Sequence, residues 1–429
     1  MKNFLNYTIK YFYKLESKIA FYPTVLSLIG TIFAFVMIYA ESLGVSDYLI
    51  EEAPLLVVND TETARNLLTT FVAGLISIMV FSFSMVMILL SQASSNFSPR
   101  VLPGLISNRR HQVILGIYNS SLLYCIFTLV SIEPDGDKYQ LPGFSVLLAI
   151  FFMTFCLGAF IYFIHSISQE IQINNIMSRI FSVAKKRLKE LVNNQTDEKN
   201  KFPSTDNWTT LNSKKSGYFQ DISLSAMANL ADEVEMQLEV VPVKGTYVFK
   251  NTPVLKMSKE VDEDTIEKVF SSFHYSKSER IEDNYLLAFK QLTEIAVKAM
   301  SPGINDPGTA INAIDYLTEL FLLRLQKQDQ SIYRDKKNNP VILINTVSFK
   351  QLLFNVMTAL RTYCKHDIII VQKLMQMLAS MLDNNEKASE DYVKTIRQEI
   401  ENLHEDAKNS IQNTADLNLL KTTYNTILG

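Results

Sequence analysis

The sequence predicts an α-helical membrane protein: four transmembrane helices followed by a cytosolic α+β domain, first a small β-rich module and then a mainly helical remainder. Three observations carry that expectation. Charge is unevenly distributed: residues 1–165 hold 9 Lys+Arg and 10 Asp+Glu, whereas the other 264 positions hold 32 and 34. The charge density doubles across that boundary, so the two parts are built for different solvents. Four long runs in the first part carry no acidic or basic side chain. Beyond them the apolar pattern turns to short β-branched runs and then to helical spacing.

The uncharged runs place the spans. Ile19–Ala40 is 22 residues without a charge, Asn66–Pro99 is 34 and Gln112–Ile132 is 21, while Tyr139–Gln169 is interrupted only by His165. About 20 apolar residues in a helix cross the ~30 Å of hydrocarbon in a bilayer. Helices are therefore expected near 19–40, 67–90, 113–132 and 142–165. The first is too long for a signal peptide, and Ile38 stands where a small residue would precede a cut after Ala40. Residues 1–18 form an arm with Phe4, Tyr11, Phe12 and Leu15 on one helical face and Lys10, Lys14 and Lys18 on another, as in an interfacial helix.

Orientation follows from the connections. The arm and the second connection are basic, with Arg100, Arg109 and Arg110 in the latter. The first and third are acidic, with Glu41, Asp47, Glu51 and Glu52 in one and Glu133, Asp135 and Asp137 in the other. Basic loops stay on the cytoplasmic side, which puts both termini inside. Three cysteines exclude a disulfide scaffold, and a net charge of −3 argues against a nucleic-acid partner.

The second span is the most informative. Ser77, Ser84, Ser91 and Ser98 recur every seven residues, so they hold one face with a drift of only about 20° per heptad. Close helix packing is the commoner reason for such a face. A water-lined wall is the functional alternative, since hydroxyls can replace part of an ion's hydration. Arg100 would then crown the inner mouth. No charge lies at the centre of any span, which disfavours an ion-coupled pump. Four spans leave little room for a pathway in a monomer, so a pore requires a homo-oligomer.

Residues 166–215 are expected to continue the fourth span as a helix and then form a polar linker. Residues 216–258 form the β-rich module, with strand chemistry at Leu238–Val243 and Thr246–Phe249. Residues 259–429 are mainly helical, with core spacing over Asn284–Met300 and Gly308–Gln328. Between those helices, Ser301-Pro302-Gly303-Ile304-Asn305-Asp306-Pro307 reads as a turn in which Gly303 permits a positive φ, Asp306 caps and Pro307 takes the first helical position. Val347–Asp383 is expected as two helices broken around Lys365–Asp367, and Glu386–Gln412 as a charged surface helix.

These motifs carry a resemblance. Phe81-Ser82, the run Ser91-Gln92-Ala93-Ser94-Ser95-Asn96-Phe97-Ser98-Pro99-Arg100, Ser216-Gly217-Tyr218, then Gly245, Val248 and Pro253, and finally Ser301 to Pro307 with Thr309-Ala310 resemble the bacterial predicted membrane proteins of domain-of-unknown-function family 2254. The match runs in order along essentially the whole chain. It implies a multi-pass protein of the bacterial inner membrane with a cytosolic domain, and no established activity. Asn251 stands where the family usually has Gly, and Arg280-Ile281 where it usually has Arg-Thr.

Enzyme signatures are missing: there is no P-loop, G-x-G-x-x-G, H-E-x-x-H or paired Cys-x-x-Cys. No catalytic set, metal site or cofactor is expected. If the cytosolic domain meets a small ligand or a protein, Arg280 and Arg361 are the candidate anion contacts and Asn305 and Asp306 the candidate polar recognition. Three classes of function stay open: an oligomeric pore lined by the second span, a membrane-anchored sensor or scaffold, and a membrane-bound enzyme.

Overall fold

The computed structural model describes residues 20–52, 57–96, 109–132, 142–170, 172–193, 195, 202–276, 284–335, 339–384 and 388–429. The N-terminal arm, Ser98, Arg100 and Arg280 lie outside them. The chain divides into two compact units, Met1–Gln172 and Ile173–Gly429.

Four helices of the first unit are long and apolar enough to cross a membrane. They are α1 (Phe21–Ser42), α3 (Thr61–Asn96), α4 (Arg109–Val130) and α5 (Gly143–Glu170). A short helix not foreseen in the sequence, α2 (Val45–Glu52), occupies the first connection. α3 starts where Asp60 accepts the Thr63 amide at 2.7 Å, a cap that sets the helix beginning five residues before the uncharged run. α4 is the central helix, in contact with the other three spans. Two glycines let it approach α1: a Cβ on Gly30 would lie 2.8 Å from the Ser120 carbonyl oxygen, and one on Gly116 would lie 3.2 Å from the Pro23 Cα. Small residues at such crossings replace the hydrophobic driving force that lipid does not supply.

Near the start of α5 a carboxylate is buried. Glu41, at the end of α1, accepts the Ser145 amide and hydroxyl, both at 2.8 Å, and the Ser46 hydroxyl at 2.6 Å. The Ser46 oxygen in turn accepts the Phe144 amide at 3.1 Å. An anion at a helix N-terminus meets otherwise unbonded amides and the positive end of the dipole. The acidic first connection is thus partly structural.

The second unit begins with α6 (Ile173–Asn193), a helix separate from α5. Its face of Ile176, Met177, Ile180, Phe181, Ala184 and Leu188 is buried within the second unit. The expected prolongation of the fourth span therefore belongs to the core of the following unit, because its amphipathic face finds partners there.

The remaining elements are β1 (Thr209–Asn212), β2 (Gly217–Ile222), α7 (Leu224–Glu233), β3 (Leu238–Val240), β4 (Tyr247–Val248), β5 (Pro253–Met257), α8 (Glu263–Ser271), β6 (Phe273–Ser276), α9 (Leu286–Ala299), α10 (Pro307–Leu325), β7 (Gln330–Arg334), β8 (Pro340–Asn345), α11 (Phe349–Cys364), α12 (Ile368–Asp383), α13 (Glu390–Lys408) and α14 (Thr414–Leu428). A five-stranded sheet runs β1-β5-β3-β8-β7, with β3 and β8 parallel and the other pairs antiparallel. A three-stranded antiparallel sheet runs β4-β2-β6. The β-rich segment therefore shares both sheets with strands that the sequence reading placed in a separate helical part. Pro340–Asn345 (Pro-Val-Ile-Leu-Ile-Asn) is β-branched enough to be a strand, but it lies between long helices.

Candidate functional site

The inward and outward faces of α3 follow from one spacing. Leu68, Leu75, Ser82 and Leu89 are buried in the bundle at intervals of seven. Ser77, Ser84 and Ser91 stand two residues beyond Leu75, Ser82 and Leu89, about 200° around a helix of 3.6 residues per turn. They are accordingly exposed, as are Asn66, Thr70 and Ala73 on the same line. Among the described residues the three serines are exposed and not buried as packing residues would be. Packing against another span of the same chain, the commoner reading of the stripe, does not hold for these three.

The outward hydroxyls satisfy themselves locally. Thr70 donates to the Asn66 carbonyl at 2.8 Å, Ser77 to Ala73 at 2.9 Å and Ser84 to Val80 at 2.9 Å. Bonding to the carbonyl four residues back is how a hydroxyl removes its donor from an apolar surrounding. It leaves lone pairs free to accept from water or another chain. The helix is 36 residues, about 54 Å long, against ~30 Å of hydrocarbon.

In the second unit the turn after α9 is built much as its residues imply, with one correction. Asn305, at φ 48°, takes the left-handed conformation, and Gly303 does not. Asparagine tolerates that region because its short side chain bonds locally. Asp306 accepts the Thr309 amide at 3.1 Å and the Thr309 hydroxyl at 2.6 Å, with Pro307 in the first turn. These two bonds hold the Asp306 carboxyl below the usual carboxylate range. Asn305 and Asp306 are exposed. Arg361, on α11, is turned to α13: it pairs with Asp406 at 2.7 Å and with Glu399 at 3.4 Å. Burial pushes the Glu399 carboxyl up despite that partner. Asp306 caps a helix and Arg361 is held by two carboxylates, so the described candidates do not form one cluster. Cys364 is buried, and Asp367 caps α12 through the Ile369 and Ile370 amides.

Two features of this unit went unread in the sequence. One is a cavity of about 460 Å³ between the β3–β4 connection and helices α9 and α11. Apolar side chains such as Leu287 and Val356 line it, together with Lys244, Lys290, Glu294 and Asn355. Gly245, at φ 85°, shapes the connection at its edge. An apolar wall with a few charged groups is the usual make-up of a small-molecule site. Nothing in the local sequence announces it, because its walls come from three distant segments.

The other is a buried cation. Arg324, wholly buried near the end of α10, donates to the Lys327 carbonyl at 2.8 Å and the Val347 carbonyl at 3.0 Å, and pairs with Asp329. Asp329 also accepts the Phe349 amide at 2.9 Å, and the Tyr392 hydroxyl donates to the Lys327 carbonyl at 3.3 Å. Lys327, itself buried, donates to the Gln328 carbonyl at 2.7 Å. Burial, with Arg324 nearby, lowers its ammonium to about 8. A single arginine inside Leu320-Phe321-Leu322-Leu323-Arg324-Leu325 was the available signal.

Four apolar helices followed in one chain by a mixed helix-and-sheet unit define a membrane protein with a large extramembrane part. The chain belongs to the family described as "Predicted membrane protein (DUF2254)", whose profile matches residues 16–380. An uncharacterized protein of Mycobacterium bovis and one of Mycobacterium tuberculosis are each 23% identical to it over 334 residues, which is 75% of this chain. The chain spans 64% of the length of these relatives. No solved structure matches it.

Proposed function

We propose that the protein acts as a homo-oligomeric conduit of the bacterial inner membrane, with α3 of each copy turned to a shared axis. The observation that carries this reading is the outward line of Asn66, Thr70, Ser77, Ser84 and Ser91. A polar line on the outer surface of a membrane bundle is poorly matched to lipid and well matched to another copy or to water. Four apolar spans per copy leave the pathway to be formed between copies. The basic second connection and acidic first connection support an orientation with both termini in the cytoplasm. The second connection, whose sequence carries Arg100, would then be on the cytoplasmic side, where a ring of cations favours anions. Cysteines at 77, 84 and 91 test this, since the native Cys125, Cys156 and Cys364 are all buried. Modification of all three by small water-soluble thiol reagents in intact membranes is the expected result. Protection of all three removes the conduit.

A second reading has its own support in the 460 Å³ cavity. There the second unit would be a ligand-sensing module on a membrane anchor. Lys290, with Lys244 that also pairs with Asp221 at 3.0 Å, favours a small anionic ligand bound against the apolar wall. A panel of organic acids and nucleotides should raise the melting temperature of the protein, and filling the cavity with Ala359→Trp should cancel the rise. A flat panel rules this reading out.

A further inference from the structure

The first unit has a second outward feature, whose lining includes no residue of α3. Between α4 and α5 lies a groove of about 940 Å³, walled by Ile117, Phe151, Phe155 and Gly158, with Tyr162, Arg109 and Arg110 at one end. We propose that it seats one acyl chain of an anionic phospholipid, whose phosphate meets Arg109 and Arg110.

Its length favours a lipid. From Arg109 to Ile117 the α4 wall rises about 12 Å, and from Phe151 to Tyr162 the α5 wall rises about 16 Å. Half of a ~30 Å hydrocarbon layer is one leaflet, so the groove runs from one interface to the midplane and stops. A second protein helix would use the whole span. An amphiphile with one anionic end and one apolar tail uses only this much.

The chemistry is arranged along that axis in the same order. Phe151 and Phe155, 66% and 55% exposed, offer their rings to hydrocarbon at the deep end. Gly158 opens the wall, for a Cβ built there meets no atom within 4 Å. Tyr162 stands at the level where tyrosines anchor to the interface. Beside it, Arg109 and Arg110 begin α4, so two guanidinium groups and a helix N-terminus coincide. The Arg109 guanidinium is held over the Tyr22 ring, 4.7 Å from its centre, which fixes its position at the mouth. Guanidinium groups match the paired oxygens of a phosphate, and basic pockets between spans favour anionic headgroups.

The test uses the full-length protein in vesicles of phosphatidylcholine containing a trace of phosphatidylglycerol with a photoactivatable group in one acyl chain. Labelling should map to peptides covering Val113–Ile117 and Phe151–Tyr162. Gly158→Leu, which enters open space and replaces a weak helix former, should abolish it while melting temperature and elution volume stay those of the parent. Gly158→Ala, a smaller filler, should weaken it and guards against misfolding of the first variant. Arg109→Gln with Arg110→Gln should lower labelling roughly 30-fold, the loss expected for two near-surface cations. Equal labelling by a phosphatidylcholine probe, with no effect of the arginine pair, would reduce the groove to ordinary annular contact and overturn the proposal. So would undiminished labelling in a folded Gly158→Leu protein. A copy-to-copy crosslink through cysteine at 155, without lipid labelling in the parent, would assign the groove to a second chain and overturn it equally.

Discussion

The clasp around Arg324 and the line of hydroxyls on α3 are opposite solutions to the same cost. Both place polar groups where water is scarce. In the second unit the two terminal nitrogens of the guanidinium are directed at two carbonyls and Asp329 of its own fold, while its buried Nε meets no acceptor among the described residues. Folding of one chain accounts for these contacts. On α3 the hydroxyls reach only their own backbone and face outward. Folding of one chain does not explain them. A polar group held by partners of its own chain is a structural device; for a line of them left on the outer surface of an apolar bundle we propose a partner outside that chain.

The largest expected effect breaks the Arg324 side. Arg324→Met should destabilise the second unit by about 3–5 kcal/mol, because Asp329 and two carbonyls lose a buried partner. Denaturant unfolding followed by the fluorescence of Trp208, the chain's only tryptophan, measures it. A loss below 1 kcal/mol would place the clasp among surface contacts.

Lys327 tests the same region through pH. Its folded-state value of about 8 lies below the ordinary 10.5, so the unfolded chain binds the proton more tightly. Stability should therefore be lowest below pH 8 and rise as pH climbs from about 8 to 10.5, by up to about 3 kcal/mol. Lys327→Met should remove that rise and be the more stable protein at pH 7. Melting curves of the two proteins between pH 7 and 10 decide it.

A smaller effect is expected at the turn after α9. Asp306→Ala should cost about 1 kcal/mol, as the loss of a helix cap does. Acid should reproduce it, because a carboxyl held below its usual range stabilises the fold above that range and loses the contribution as pH falls through it. If Asp306→Ala kept the parent's stability and lost its phenotype in cells, the turn would be a site and not a joint. The smallest effect sharpens the comparison from its other side. Ser77→Ala and Ser84→Ala should each change the stability of one chain by less than about 0.5 kcal/mol, since no partner within the chain is lost.

Much of this was legible. The spans could be read because about 20 uncharged apolar residues have few other uses. The break between α11 and α12 falls at Lys365–Asp367, where Asp367 supplies a cap. The stripe on α3 could be read as a face, but not which way the face points. That required Leu68, Leu75 and Leu89 to be known as the buried line. Gly303 was the plausible left-handed residue on permissiveness alone, yet Asn305 adopts that conformation, since Asp306 must be turned to cap α10. The cavity and the Arg324 clasp were invisible for one reason. Each is assembled from segments tens of residues apart, and no local period records that they meet.

We propose that the outward face of α3 meets the same face of other copies. Single cysteines at 77, 84 and 91 should form copy-to-copy disulfides in native membranes under mild oxidation. A cysteine at Leu28, 62% exposed on the apolar surface of α1, should not. Crosslinking confined to the three α3 positions is the predicted result. No crosslink at any of them, or an equal yield at position 28, would contradict it.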